Sequence, residues 1–86
     1  MPDLKTRFDE AVAMSQTLTQ RPGNATLLKL YANYKQATAG DAKGARPDAF
    51  DLVATAKFDA WEALAGTSRD DAMTAYIALI SALKAS

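Results

Sequence analysis

Leu27-Leu28-Lys29-Leu30-Tyr31-Ala32-Asn33-Tyr34-Lys35-Gln36-Ala37-Thr38-Ala39-Gly40-Asp41 is the stretch on which the fold class turns. Leu27, Leu30, Tyr31, Tyr34 and Thr38 recur at spacings of three and four, which gathers them on one face of an α-helix. The preceding Arg21-Pro22-Gly23-Asn24 has turn chemistry and offers Gly23 or Asn24 as a cap, and Gly40-Asp41 stops the helix.

The same periodicity extends outward on both sides. Upstream, Leu4, Phe8, Ala11, Val12 and Ser15 predict a helix from about Leu4 to Leu18, with Asp3 as its N-cap. Downstream, residues 39–47 hold two Gly, a Pro and mixed charges without apolar period, and read as the long connection. A third helix is expected from Phe50 to Leu64, with Val53, Ala56, Lys57, Ala60, Trp61 and Leu64 along one stripe and Gly66 as its stop. Trp61 reads as a core anchor. Ser68 and Asp71 have the spacing of a capping box, with Asp for the usual Glu, opening a last helix whose inner face is Met73, Tyr76, Ile77, Ile80 and Leu83. The expectation is an all-α protein, a small four-helix bundle forming one domain over residues 1–86.

Composition narrows the function. With 86 residues there is no room for separate cofactor and substrate lobes, and at 49% hydrophobic the chain is too apolar for a disordered tail. Ten basic and ten acidic residues cancel, so the broad positive field of a nucleic-acid binder is missing and any anion site must be local. Cys and His are both absent, which removes disulfides, thiolate and imidazole catalysis, and the usual zinc ligands. Met1-Pro2-Asp3-Leu4-Lys5 has neither the basic nor the apolar region of a secretory leader, and no apolar run has membrane-spanning length. A cytoplasmic protein without stable membrane insertion is expected. It is also expected to be a monomer, since no apolar seam is left over once the bundle closes.

Candidate chemistry sits mainly on the second and third helices. Tyr31 and Lys35 lie one turn apart with Tyr34 beside them, offering an aromatic face, hydroxyl donors and a point cation. That equipment suits a nucleotide head group, although two half-buried tyrosines and a snorkelling lysine have the same spacing. Lys57 lies between Val53 and Trp61 on the apolar side, where an ammonium needs either a carboxylate from a neighbouring helix or an exogenous anion. Tyr76 reads as core with a satisfied hydroxyl, and Asp9-Glu10 and Asp59 with Glu62 as solvated faces.

Tyr31 to Asp41, Arg46-Pro47, Ala56-Lys57-Phe58-Asp59-Ala60-Trp61 and Gly66 to Ile77, together with Phe8 and Pro22, closely resemble the acyl-CoA-binding protein family over essentially the whole chain. The resemblance implies an up-down-down-up bundle that carries medium- and long-chain fatty acyl-CoA without altering it, needing no metal or cofactor. It implies Tyr34 stacked on adenine, Tyr31 and Lys35 at the 3′-phosphate, Lys57 on the phosphates and Tyr76 lining the pocket. Val12, Leu27 and Leu28 would border the acyl chain and pantetheine. Family members often carry Lys at the position of Gln16 and basic residues near Val53 and Thr55, so the electrostatic part of binding is expected to be weaker here. Phe58 replaces a common Trp, and no acidic residue follows Pro22 closely. The competing expectation, from a different class, is a helical protein-interaction module with a weak or vestigial pocket.

Overall fold

Asp3 starts the first helix as its sequence position predicts: the carboxylate accepts from the Thr6 N–H at 2.8 Å. The computed structural model describes residues 3–85; Met1 and Pro2, which belong to the segment tested above for a leader, lie outside them. Four helices follow one another, α1 (Leu4–Ser15), α2 (Asn24–Ala39), α3 (Leu52–Glu62) and α4 (Arg69–Ala85), with no strand among the described residues.

Two helices are shorter than their apolar periodicity suggests. α1 ends at Ser15 because Gln16 and Thr17 donate their N–H groups to Ala13 and Met14, an i→i−3 tightening. The Ser15 and Thr17 hydroxyls also return to Val12 and Met14 carbonyls. Leu18 therefore lies outside the helix. α3 begins two residues after Phe50, because Asp48 accepts from the Phe50 N–H and Asp51 caps the Ala54 N–H. Phe50 is left 95% exposed. At the start of α4 the Ser68 hydroxyl accepts from the Asp71 N–H at 3.0 Å, which is the Ser arm of the expected capping box.

Packing places the helices in the spatial order α1, α4, α2, α3: α4 lies against α1 and α2, and α3 packs on α2 alone. Phe8, Ala11, Leu30, Ala37, Ala72, Tyr76 and Ile80 form the buried cluster, with Val12, Met14, Leu18, Met73, Ile77 and Leu83 packed around it. With a single helical neighbour, α3 has no fully buried residue. The apolar stripe through Val53, Lys57 and Trp61 is thus not a core face. Lys57 is exposed, and Trp61 is half-buried outside the core cluster.

Polar ties hold α3 and the link before it. The Trp61 indole N–H donates to the Gly40 carbonyl at 2.8 Å, where Gly40 ends α2 with φ of 83°. Asp59, read above as solvated, accepts two bonds from Arg46 at 3.0 and 2.8 Å and pins the link onto α3. This partnership lowers the Asp59 pKa and raises that of Arg46. Gln36 is fully buried and its amide donates to Asp41 and to the Thr67 carbonyl. The Gly66 N–H also donates to Asp41, so this carboxylate gathers the end of α2 and the α3–α4 turn.

Candidate ligand-binding site

The single-neighbour packing of α3 leaves a groove between its first turns, the α1–α2 turn and the outer face of α2. One cleft of about 560 Å³ is lined by Ser15, Leu18, Leu30, Tyr31, Tyr34 and Tyr76 as well as Pro22. A second, of about 390 Å³, is lined by Leu28, Leu52, Ala56 and Asn24. Arg21, Leu27, Val53 and Lys57 line both clefts and form the waist between them. The first cleft is aromatic and hydroxyl-bearing. Apart from Asn24 and the two cations of the waist, the second is aliphatic.

Three rings build the aromatic wall. Phe8 of α1 is 2% exposed and stacks on Tyr34 with centroids 6.0 Å apart, while Tyr76 meets Phe8 edge-on at 5.2 Å. Tyr34 is thereby backed by the core ring of Phe8 and as a residue stays 40% exposed. Tyr76, only 5% exposed, belongs both to the core cluster and to the cleft lining. A planar ring laid on the open face of Tyr34 meets a support that is already rigid.

Lys57 makes no ion pair with a carboxylate among the described residues; its ammonium lies 5.3 Å from the centroid of the Tyr31 ring. Lys35 turns the other way, to 4.9 Å from the Trp61 ring centroid, and lines neither cleft. Helical spacing brings Tyr31, Tyr34 and Lys35 near one another, but tertiary packing sends Lys35 toward α3. Tyr31, Tyr34, Lys57, Tyr76 and Leu27 converge in the first cleft, and Leu28 joins Leu27 and Lys57 in the second. Val12 packs against the core from α1, and Gln16 is the exposed C-cap of α1 outside both clefts. Arg21, Leu52 and Ala56 were not named as site residues from the sequence, where Arg21 read as part of a turn and Ala56 as part of the third helix's stripe. Among the described residues no group of acidic side chains is placed to hold a metal ion, and no helix is long and apolar enough to cross a membrane.

A four-helix bundle whose open flank joins an aromatic cleft to a mainly aliphatic one across a cationic waist defines the class: a small helical protein shaped for an amphiphilic ligand. Residues 5–80 match the family described as Acyl CoA binding protein, and the chain belongs to that family. It is 49% identical over 84 residues to the acyl-CoA-binding protein homolog of Manduca sexta, covering 96% of this chain and 93% of that one. It is 47% identical over 76 residues to acyl-CoA-binding protein homolog 1 of Caenorhabditis elegans, covering 88% of each. The crystal structure of acyl-CoA-binding protein 2 of Oryza sativa superposes with a TM-score of 0.89 at 38% identity, covering 94% of this chain and 90% of that chain.

Proposed function

We propose that this protein is a non-catalytic carrier of medium- and long-chain fatty acyl-CoA thioesters, acting as a cytoplasmic monomer with residues 1–86 as one ligand-binding domain. The observation that carries the reading is the waist of Arg21, Leu27, Val53 and Lys57, which joins the aromatic cleft to the aliphatic one. An acyl-CoA has the matching asymmetry. Its purine and phosphates seek rings and cations, and each methylene of its tail gains about 0.8 kcal/mol on leaving water.

In this assignment Tyr34 stacks on the adenine, Tyr31 and Lys35 hold the 3′-phosphate region, Lys57 meets the phosphates and Tyr76 closes the wall. Lys35 leaves the Trp61 face to do so, which its flexible stem permits. Leu27, Leu28 and Val12 border the tail and pantetheine, with Gln16 as an uncharged neighbour. Names of the relatives support acyl-CoA as ligand. A chain without His or Cys offers no imidazole or thiol to attack the thioester. In this reading the carrier holds its ligand intact and needs no metal or cofactor.

Isothermal titration with palmitoyl-CoA, palmitate and CoA tests the reading. Tight binding of the thioester alone, with no loss of thioester over time, is the expected result. No heat from any of the three favours a protein-interaction module instead.

A further inference from the structure

Not one residue lining either cleft is acidic, although acidic and basic residues are equal in number along the chain. Several basic side chains outside the groove have partners. Lys5 pairs with Asp9, Arg46 with Asp59, Arg69 donates to the Thr38 carbonyl and Lys35 rests on Trp61. Arg21 has no ion pair, side-chain hydrogen bond or ring contact among the described residues, yet it lines both clefts at their waist together with Lys57. Pro22 restricts the Arg21 backbone to extended conformations, which limits where its side chain can start. Two like charges lining one waist with the apolar Leu27 and Val53 repel each other, and an anion bound there is attracted to both.

We infer that Arg21 is a phosphate-binding residue, its guanidinium and the Lys57 ammonium both holding one phosphate group of the ligand at the waist. The inference rests on the acyl-CoA reading and deepens it. A guanidinium presents parallel N–H donors that match two phosphate oxygens, so it supplies direction where Lys57 supplies a point charge. With the rest of the lining uncharged, these two residues provide the whole charge of the groove wall. Arg21 also borders a separate cleft of about 410 Å³ beside Leu83 and Lys84, so Lys84 serves as a control cation.

The experiment titrates wild type, Arg21→Gln, Arg21→Lys and Lys84→Gln with palmitoyl-CoA over a series of salt concentrations. A second arm uses palmitoyl-pantetheine, which keeps the tail and thioester but has no phosphate, and a third uses inorganic phosphate. Arg21→Gln should weaken palmitoyl-CoA binding about tenfold or more at low salt and flatten its salt dependence. Arg21→Lys should recover part of the loss, and Lys84→Gln should match wild type. Palmitoyl-pantetheine should bind all four proteins alike, and inorganic phosphate should bind far more weakly than palmitoyl-CoA, which makes the CoA phosphate the anion gripped. Wild-type affinity and salt slope in Arg21→Gln overturn the assignment while leaving the carrier reading intact. An equal loss for both thioesters overturns it too, since the Arg21 stem would then be packing on the tail. Failure of wild type to bind palmitoyl-CoA removes the carrier reading and this inference with it.

Discussion

The Lys57 ammonium lies 5.3 Å from the centroid of the Tyr31 ring and so joins α3 to α2 across the waist of the groove. An exposed cation–π contact contributes about 0.5–1 kcal/mol, whereas a charge-assisted bond to a phosphate contributes about 1.5–3 kcal/mol. Lys57→Ala should therefore cost about 1 kcal/mol or less in urea unfolding and about 1.5–3 kcal/mol in palmitoyl-CoA affinity by calorimetry. Equal affinity in the variant and wild type would remove Lys57 from the site.

Phe8 and Tyr34 separate support from recognition. Phe8 is 2% exposed, so Phe8→Ala leaves a core cavity and should destabilise the bundle by about 3–5 kcal/mol. Tyr34→Phe keeps the ring and should retain most of the affinity, while Tyr34→Ala should lose about 1–3 kcal/mol, the scale of base–aromatic stacking. Comparable losses in both Tyr34 variants would shift the role from ring to hydroxyl.

The helices and the residues of α2 were readable in advance because one periodicity governs both: the spacing that buries Leu30 also turns Tyr31 and Tyr34 toward the same flank. Local hydrogen bonding hid the ends of α1 and α3, where Ser15, Thr17, Asp48 and Asp51 compete with the apolar pattern. Tertiary convergence hid the rest. Nothing in the run around Gln36 announces that its amide meets the Thr67 carbonyl, and nothing around Arg21 announces that it shares a cleft with Lys57. Lys57 itself was misplaced for a topological reason: a stripe is buried only if a neighbour covers it, and α3 has just one.

Trp61 carries a polar tie as well as apolar surface. Trp61→Phe keeps an aromatic ring but removes the donor to the Gly40 carbonyl, and should cost about 1–3 kcal/mol. It also alters the ring beneath Lys35, so the comparison needs both unfolding and binding measured. A loss of affinity without a loss of stability would tie the Lys35–Trp61 contact to recognition.

Asp41 sets an acid limit. Hydrogen bonds from the Gln36 amide and the Gly66 N–H favour its carboxylate and hold its pKa below the ordinary value of 3.8. A depressed folded-state pKa contributes stability that is present above the unfolded-state value and is lost as pH falls through the folded one. Urea midpoints should hold down to about pH 4 and then decline, with Asp41→Asn declining less steeply. Asp3 and Asp59, lowered in the same direction, account for the residual slope. Identical acid profiles for Asp41→Asn and wild type would mean that the Gln36–Gly66 tie does not discriminate between charged and neutral carboxyl.

The aliphatic cleft predicts how affinity depends on the tail. While methylenes enter the space walled by Leu27, Leu28, Leu52 and Ala56, each should add about 0.8 kcal/mol, close to fourfold in Kd. Beyond the rim, where Leu52 is 76% and Val53 67% exposed, further carbons meet water on one side and the increment should shrink. A series of saturated acyl-CoAs from four to twenty carbons should therefore rise and then bend over. Leu28→Asp should flatten the rising part while sparing the shortest esters, whose binding comes from the head group. If the variant lowers all esters equally, the bundle has been disturbed. If wild type keeps a constant increment through twenty carbons, the tail runs outside the second cleft, and the separate cleft beside Met14 and Leu83 becomes the place to look for it.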